Sequence, residues 1–298
     1  MSKRYPAVML APCLVPWTDA YEFDEQTFAA QVRELRDGLT THLYVFGTAG
    51  EGHAVTDRQF DAVVRAFRRE MGAGTNPMVG VISLSLGTVI ERIARGHELG
   101  FRSFQISLPS WSELTDREVD VFFQETCGRF PDAQFLHYNL KRAKRLLTGQ
   151  DYVRLAAAHP NLVAIKMGGD DVNALADILV HAPALQCFFT EFGYAAMRDA
   201  HECGYLVALG MLNERRARAH FEARGAALAA SRDAFRQVHA AVKAAMAGDG
   251  AHIDGAYDKL YAHARNPAFP LRLLPPHTAS TEETFARFVR ALPSGWLP

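Results

Sequence analysis

The feature of this sequence that most constrains its fold is a regular alternation between short apolar runs and longer segments with helical periodicity. The apolar runs are rich in β-branched and aromatic residues and predict eight strands, at Ala7–Val15, His42–Phe46, Pro77–Ile82, Ser103–Ser107, Gln134–Tyr138, Leu162–Lys166, Gln186–Glu191 and Tyr205–Leu209. The segments between them predict helices at Asp24–Asp37, Asp57–Met71, Leu86–Leu99, Asp116–Arg129, Gln150–His159, Asp171–His181 and Tyr194–Cys203, with an eighth after Asn213. Strands that alternate with helices of this length form a parallel sheet through right-handed crossovers. Eight such units in roughly 225 residues predict an α/β fold of the (β/α)8 TIM-barrel type.

Residues at the ends of the predicted elements agree with this division. Asp57 is a candidate N-cap for one helix, and Gly100 follows the last periodic residue of another. The rival α/β fold, a doubly wound open sheet, usually has fewer units and a glycine-rich turn after its first strand. The segment Pro12–Pro16 at that place is not glycine-rich, which favours the barrel.

The pattern changes after the eighth unit. No strand is evident beyond this point, and alanine-rich helical segments cover about residues 229–247, 252–264 and 281–291. No linker rich in proline, glycine or serine separates this part from the rest of the chain. We therefore predict a barrel over residues 1–224 and a C-terminal helical extension over residues 225–298, packed on the barrel as one structural unit.

The composition argues against several kinds of partner. The formal net charge of -1 gives no reason to expect binding to nucleic acid or to an anionic membrane. No signal peptide is visible, and no apolar stretch approaches the roughly 18 residues of a membrane span. The four cysteines have no CxxC pair and no metal-ligand spacing, which is typical of buried thiols in a reducing compartment. We therefore predict a soluble cytoplasmic protein with no nucleic-acid or membrane partner.

Chemically useful side chains occur where the predicted strands end. Catalytic residues of a (β/α)8 barrel project from the C-terminal ends of the strands and from the loops that follow. The candidates at these places are Thr48 and Glu51 after the second strand, Tyr138 and Asn139 at the fifth, Lys166 at the sixth, and Thr190 and Glu191 at the seventh.

Lys166 is the most informative of these candidates, because it ends the apolar run Leu162–Lys166. Apolar surroundings disfavour the charged ammonium form of a lysine, so that a neutral amine becomes available. A neutral amine is what attack on a carbonyl carbon to form a Schiff base requires. The alternative is a lysine that only leaves the strand and reaches water.

Two further features accompany this lysine. Tyr138 ends the neighbouring strand, so its phenol could relay protons to and from an adduct on the lysine, or could be an ordinary rim tyrosine with a solvated hydroxyl. Closely spaced glycines in Gly47–Gly52 allow backbone N–H groups to converge on an anion, and Thr48 adds a hydroxyl. A small carboxylate would fit such a site; the alternative is a tight turn between strand and helix.

Three short motifs follow or end the second, fifth and sixth predicted strands. They are GTAGE at Gly47–Glu51, YN at Tyr138–Asn139 and IK at Ile165–Lys166. In this order they resemble the motifs of the dihydrodipicolinate synthase/N-acetylneuraminate lyase family, and the resemblance covers essentially the whole chain. The joint pattern is much more specific than any one motif, and it favours Lys166 as a Schiff-base lysine.

The resemblance implies the first half of a mechanism. Lys166 would condense with the 2-oxo carbon of pyruvate or of a longer 2-oxo acid, and Tyr138 would shuttle protons. Thr48 would lie in the relay or in the carboxylate site, and the backbone amides of Ala49 and Gly50 would hold the substrate carboxylate. The protonated imine would then act as an electron sink for C–C cleavage, aldol addition or loss of water.

The sequence also departs from the family pattern at three places. Ala49 stands where the family usually has a second hydroxyl, and Lys141 stands where it usually has a proline. Trp111 stands where the synthases have a tyrosine, and an indole cannot cycle a proton at neutral pH as a phenol can. These differences argue against dihydrodipicolinate synthase itself and favour a member with another acceptor or another fate for the adduct.

Three more residues are predicted to contact the substrate. Arg142 lies in the basic cluster Lys141–Arg145, which suggests recognition of a second carboxylate or a polyhydroxy chain, although solvated surface charge explains it about as well. Trp111 is predicted as a wall that faces the substrate, with subunit packing as the alternative. Thr190, at the end of the seventh strand, is the third.

We therefore predict a lyase, of the aldolase or dehydratase type, that acts on pyruvate or a longer 2-oxo acid through a lysine Schiff base. The alternatives are dihydrodipicolinate synthase proper and a non-catalytic paralogue that still binds a 2-oxo acid. A metal-dependent aldolase would need histidine and carboxylate ligands at strand ends, where no HxH or HxxE pair occurs. We predict no cofactor and no metal, and the resemblance implies a homotetramer or a homodimer.

Overall fold

Eight parallel strands close into a barrel in the computed structural model, which describes residues 4–169 and 171–297. In order around the barrel, the strands are β1 (Met9–Cys13), β2 (Leu43–Val45), β3 (Met78–Gly80), β4 (Ser103–Ile106), β5 (Gln134–Asn139), β6 (Leu162–Met167), β7 (Gln186–Phe189) and β8 (Gly204–Leu206). Apart from Gln134, all of these strand residues are buried, as expected for parallel strands covered on both faces. The predicted (β/α)8 TIM barrel is confirmed.

A helix follows each strand, and all but the last of these helices connect successive strands. They are α1 (Glu25–Gly38), α2 (Asp57–Met71), α3 (Leu86–Glu98), α4 (Asp116–Phe123), α5 (Gly149–Ala158), α6 (Val172–His181), α7 (Glu191–Met197) and α8 (Glu214–Glu222). Thr56, Thr115 and Thr148 precede α2, α4 and α5, and each forms a reciprocal capping box with the residue three positions later. The prediction of Asp57 as an N-cap was wrong by one residue, because the Thr56 hydroxyl accepts the hydrogen bond from the N–H of Gln59.

The seventh unit differs from its predicted bounds. The strand ends at Phe189, Thr190 occupies the N-cap position of α7, and Glu191 is the first helical residue. The predicted strand therefore extended two residues too far, and the predicted helix began too late. Apolar residues lie on both sides of Thr190, so the hydrophobic pattern does not mark the point where the period changes.

The helix predicted over residues 116–129 is interrupted. Helix α4 ends at Phe123, and Gln124–Gly128 continue as one π-helical turn. The Thr126 hydroxyl donates to the carbonyl oxygen of Phe122 at 2.8 Å, and a side-chain donor of this kind competes with main-chain donors for the carbonyl. Hydrophobic periodicity does not reveal such a turn, because the chain on both sides keeps a helical course.

The described residues divide into two compact units. Those of Met1–Leu10 and Asn76–Leu206 form the first unit, and those of Ala11–Thr75 and Val207–Pro298 form the second. The second unit ends in the helices α9 (Gly225–Met246), α10 (Asp254–Arg265) and α11 (Glu282–Ala291). Helix α11 packs against α9. The helical character predicted after residue 225 is confirmed, while the boundary at residue 224 stays a prediction.

Within residues 4–169 and 171–297, no helix combines the length and the apolar character that crossing a bilayer requires. The cytoplasmic location stays a prediction.

Candidate active site

The side chain of Lys166 is buried in the first unit, one residue before the end of β6. Only 2% of the residue is exposed. Its Nζ donates a hydrogen bond to Oε1 of Gln105 at 2.8 Å and lies 4.1 Å from the centre of the Tyr138 ring. The alternative of a lysine that leaves the strand and reaches water is therefore wrong.

The register of the strands explains why these three side chains meet. Tyr138 of β5 pairs with Lys166 of β6, and Gln105 belongs to β4, on the other side of β5. Side chains alternate between the two faces of a sheet, and His137, next to Tyr138, contacts Tyr152 of the outer helix α5. Because His137 points outward, Tyr138 points into the barrel. Lys166 and Gln105, which are hydrogen-bonded to each other beside the Tyr138 ring, point into the barrel as well.

Gln105 is a site residue that the sequence analysis did not identify. It is completely buried, and its Nε2 has no hydrogen-bond partner among the residues that the structure describes. An unpaired buried polar group costs about 1–3 kcal/mol, so a well-packed apolar residue would be the more stable choice here. The one signal in the sequence is a glutamine between the apolar residues Phe104 and Ile106 of a buried strand.

Tyr138 presents the face of its aromatic ring to the lysine nitrogen. The face of an aromatic ring carries partial negative charge and attracts a cation. The ring therefore stabilises positive charge on Nζ, whether that charge belongs to an ammonium ion or to an iminium ion. Tyr138 is 9% exposed, so this attraction acts with little screening by water.

The glutamate of the GTAGE motif is buried in the second unit and holds the turn after β2. Glu51 is 1% exposed, and its carboxylate accepts hydrogen bonds from Trp17 Nε1 at 2.8 Å, Lys259 Nζ at 2.7 Å and the Leu274 N–H at 2.6 Å. Burial lowers the pKa of Lys259, while attraction to the Glu51 carboxylate opposes this change. Glu51 therefore has a structural role, and its partners lie too far away in the sequence for the motif to reveal them.

Close packing explains the glycines of the same turn. A Cβ atom on Gly52 would lie 2.5 Å from the carbonyl oxygen of Phe46, and one on Gly50 would lie 3.0 Å from a main-chain oxygen of β1. The N–H of Glu51 and that of Gly52 donate to carbonyl oxygens inside the turn. The N–H groups of Ala49 and Gly50 donate to no acceptor within the part of the chain that the structure describes. Two amides of the predicted carboxylate site therefore have no acceptor in the described part of the chain.

Thr48 belongs to the same turn and is 5% exposed, so its hydroxyl is withdrawn from bulk water. Ala49, beside it, is 7% exposed and carries only a methyl group. The carboxylate-binding role of Thr48, Ala49 and Gly50 stays a prediction.

The remaining predicted contact residues lie in three elements of the first unit. Thr190 is half-buried at the start of α7, and Arg142 is exposed in the short 3-10 helix Lys141–Ala143. Trp111 is 83% exposed in the loop after β4. Their contacts with substrate stay predictions.

Part of the basic cluster after β5 is used to fix loops. Arg145 Nη1 donates to the carbonyl oxygen of Leu114 at 2.7 Å, and the same guanidinium is bonded to Asp116. Leu114 and Asp116 lie at the start of α4, so this arginine ties the loop after β4 to the loop after β5. This arginine of the cluster therefore has a structural role.

A thiol nucleophile or a bound metal ion would be the chemical alternative to the lysine. All four cysteines are free and buried, and burial raises the pKa of the Cys187 and Cys203 thiols to about 12. These two thiols are therefore protonated at neutral pH and are poor nucleophiles. In residues 4–169 and 171–297, no three His, Cys, Asp or Glu side chains form a group that could hold a metal ion.

Solved structures with the same fold include two with named activities or ligands. N-acetylneuraminate lyase of Proteus mirabilis superposes with a TM-score of 0.83 over 97% of this chain and 98% of its own, at 13% identity. YagE of E. coli K12, a prophage protein of the dihydrodipicolinic acid synthase family in complex with pyruvate, superposes with a TM-score of 0.82 over 95% of this chain and 96% of its own, at 15% identity. At such identities the likeness shows the fold alone.

The chain is similar in sequence to enzymes named as synthases, over slightly more than half of its length. The 4-hydroxy-tetrahydrodipicolinate synthase of an Exiguobacterium species is 25% identical over 170 residues, which are 56% of this chain and 57% of the relative. The enzyme of the same name from Bacillus subtilis is 22% identical over 170 residues, 57% of this chain and 59% of the relative. The chain thus matches less than two thirds of each relative's length. The model of the dihydrodipicolinate synthetase family matches residues 6–197, and the chain therefore belongs to this family.

Proposed function

We propose that the protein is a lyase, of the aldolase or dehydratase type, that forms a Schiff base between Lys166 and pyruvate or a longer 2-oxo acid. The observation that carries the proposal is the environment of Lys166, a buried amine hydrogen-bonded to a neutral amide oxygen and placed over an aromatic ring. Membership of a family whose relatives are named as synthases and lyases supports it, as does the pyruvate in one related structure.

The first step forms the bond between lysine and substrate. The lone pair of Nζ attacks C2 of the 2-oxo acid, and the π electrons of the carbonyl group move to its oxygen. That oxygen receives one proton from the nitrogen and one from a general acid, and it leaves as water. The iminium ion that remains keeps one N–H and withdraws electrons from the bonds at C3. Loss of a proton, cleavage of a C–C bond or elimination of water can then follow.

Other side chains have proposed roles in binding and proton transfer. Tyr138 carries protons to and from the adduct, since a positioned phenol is a general acid–base group. Thr48 and the unpaired amides of Ala49 and Gly50 bind a carboxylate, as convergent N–H groups do in other anion sites. The residues proposed to contact the distal part of the substrate are Trp111, Arg142 and Thr190. We also propose a homotetramer or homodimer, which light scattering on the purified protein measures.

A second candidate is a non-catalytic protein that binds a 2-oxo acid without forming the imine. Two observations favour it: Ala49 has no hydroxyl, and Trp111 is an indole where the synthases have a phenol. The synthase reaction itself is disfavoured by these two residues together with Lys141.

Borohydride reduction separates these candidates. With pyruvate and borohydride, we expect intact mass to increase by one reduced pyruvate unit and peptide mapping to place it on Lys166. Lys166→Ala should remain unlabelled, whereas Lys243→Ala, which removes an exposed lysine of α9, should be labelled like the wild type. Binding of pyruvate without any adduct would support the non-catalytic candidate. If neither pyruvate nor longer 2-oxo acids give an adduct or bind, both candidates fail.

A further inference from the structure

Gln105 is a completely buried amide in the barrel interior, on β4. Its Oε1 accepts the hydrogen bond from Lys166 Nζ at 2.8 Å. Its Nε2, with two N–H donors, is buried without a hydrogen-bond partner among residues 4–169 and 171–297. One half of the amide is therefore used by the lysine, and the other half is unused inside the barrel.

The side-chain amide of Gln105 is a better partner for a nucleophilic lysine than a leucine or a glutamate at the same position would be. A leucine would offer no acceptor, so the amine would be held only by packing. A glutamate would add a negative charge, which favours the ammonium form and removes the lone pair needed for attack. An amide oxygen accepts an N–H from the neutral amine and does not itself engage the nitrogen lone pair.

The unused Nε2 belongs to the same amide group as the oxygen that holds the lysine. It is bonded to the carbon that carries Oε1, and Oε1 accepts the hydrogen bond from Nζ at 2.8 Å, so Nε2 lies in the neighbourhood of Nζ. During imine formation, C2 of the acid is bonded both to Nζ and to the former carbonyl oxygen. This oxygen carries negative charge until it is protonated. An N–H donor placed beside such an oxygen stabilises it more strongly in the transition state than in the free substrate.

We propose that Gln105 is a positioning residue for Lys166 and a hydrogen-bond donor to the 2-oxo oxygen of the bound acid. The oxygen of its side chain holds the amine in place, and its nitrogen donates to the oxygen that becomes the carbinolamine hydroxyl. This inference rests on the proposed Schiff base at Lys166.

Gln186 provides a matched control within the same unit. It is also completely buried and lies on β7, beside Ala164 of β6. Its Nε2 donates to the carbonyl oxygen of Cys187 at 3.1 Å, and its Oε1 has no hydrogen-bond partner in the described parts of the chain. The two glutamines thus share residue type and burial, but the amide of Gln105 is bonded to the lysine.

The test measures the rate of borohydride-trappable adduct formation with saturating pyruvate, as a function of pH, in wild type, Gln105→Leu, Gln105→Glu and Gln186→Leu. For Gln105→Leu we expect the rate to fall about 100-fold, the usual effect of removing a donor to a developing oxyanion. For Gln105→Glu, which keeps the acceptor, we expect the midpoint of the pH profile to move upward by about one unit or more, because the carboxylate favours the ammonium form. Gln186→Leu should retain the wild-type rate and midpoint.

Three outcomes would count against the inference. If Gln105→Leu forms the adduct at a rate within twofold of wild type, or if Gln186→Leu loses as much, Gln105 has no special role and the Schiff base itself still stands. If Gln105→Leu does not fold, an unchanged pH midpoint in folded Gln105→Glu overturns the inference. If the wild type forms no adduct, the proposed function fails and the inference fails with it.

Discussion

At the scale of single residues, two buried lysines of this chain have opposite kinds of partner. Lys259 forms an ion pair with the Glu51 carboxylate at 2.7 Å, an arrangement that keeps an ammonium group charged inside a protein. Lys166 donates instead to the neutral oxygen of Gln105 and lies over the ring of Tyr138. A neutral acceptor holds an amine without an opposing charge, so it leaves the amine able to react once it has lost its proton.

Tyr138→Phe removes the hydroxyl of this tyrosine and keeps its aromatic ring. Phenylalanine keeps the aromatic face beside Nζ, so we expect borohydride trapping with pyruvate to persist. Exchange of the pyruvate methyl hydrogens in D2O, followed by NMR, should slow about 100-fold, because the imine must gain and lose a proton at C3 and the general acid–base group is gone. Tyr21→Phe, a change at a tyrosine that is 40% exposed, should exchange at the wild-type rate. Wild-type exchange in Tyr138→Phe would remove the hydroxyl from the proposed mechanism.

At the scale of elements, the turn after β2 is joined to the C-terminal helical part through one carboxylate. Glu51 accepts from Trp17 after β1, from Lys259 in α10 and from the backbone at Leu274. Its φ of 59° lies in the left-handed region, so the turn also has a conformation that non-glycine residues seldom adopt. The network holds the turn that carries Thr48 and the unpaired amides of Ala49 and Gly50, although none of its members needs to touch a ligand.

Glu51→Gln should destabilise the protein by about 3–5 kcal/mol, because it leaves the Lys259 ammonium buried without its counter-charge. Denaturant unfolding followed by circular dichroism measures the loss. The double variant Glu51→Gln/Lys259→Met should recover much of it, since the buried charge is then removed as well. Glu22→Gln, at an exposed ion pair with Arg58, should leave the unfolding midpoint almost unchanged. A similar midpoint for Glu51→Gln and Glu22→Gln would show that the network contributes little.

At the scale of the whole molecule, a buried histidine makes stability depend on pH. The ring of His137 lies between the barrel wall and α5, with Nδ1 2.7 Å from the Tyr152 hydroxyl oxygen. Burial lowers the pKa of His137 to about 3, against roughly 6.5 for a histidine in an unfolded chain. Below pH 6.5 the unfolded chain binds a proton that the folded protein does not bind, so stability falls as the pH falls from about 6.5 towards 3.

His137→Gln should weaken this acid sensitivity. Glutamine offers an oxygen that can accept from the Tyr152 hydroxyl, and it does not titrate. Between pH 6.5 and pH 5, the histidine changes the free energy of unfolding by about 2 kcal/mol, so the wild type should lose about that much more than the variant in urea unfolding. His252→Gln, at an exposed histidine, should behave like the wild type. Equal losses in wild type and His137→Gln would mean that the buried ring is not the source of the pH dependence.

Local patterns were enough to predict the barrel. Each strand is an apolar run and each helix an amphipathic segment, so the order of elements can be inferred without knowing any contact between them. Helix α2 has the predicted bounds Asp57–Met71, because a cap and a change of polarity mark both ends. The boundary at Thr190 was missed because phenylalanines lie on both sides of it, at Phe189 and Phe192. The π-helical turn Gln124–Gly128 was missed because the chain keeps a helical course across it.

The sequence by itself determined the fold and singled out Lys166, through the residue's place at the end of an apolar strand and the motifs before it. Only the tertiary structure decided what surrounds that lysine and what the motif glutamate does. Gln105 precedes Lys166 by 61 residues, and Lys259 follows Glu51 by 208 residues. Periodicity along the chain reports how each element is buried, but a contact between side chains depends on strand register and on which face each residue occupies. These are set when the elements pack together, and no single segment of the sequence contains them.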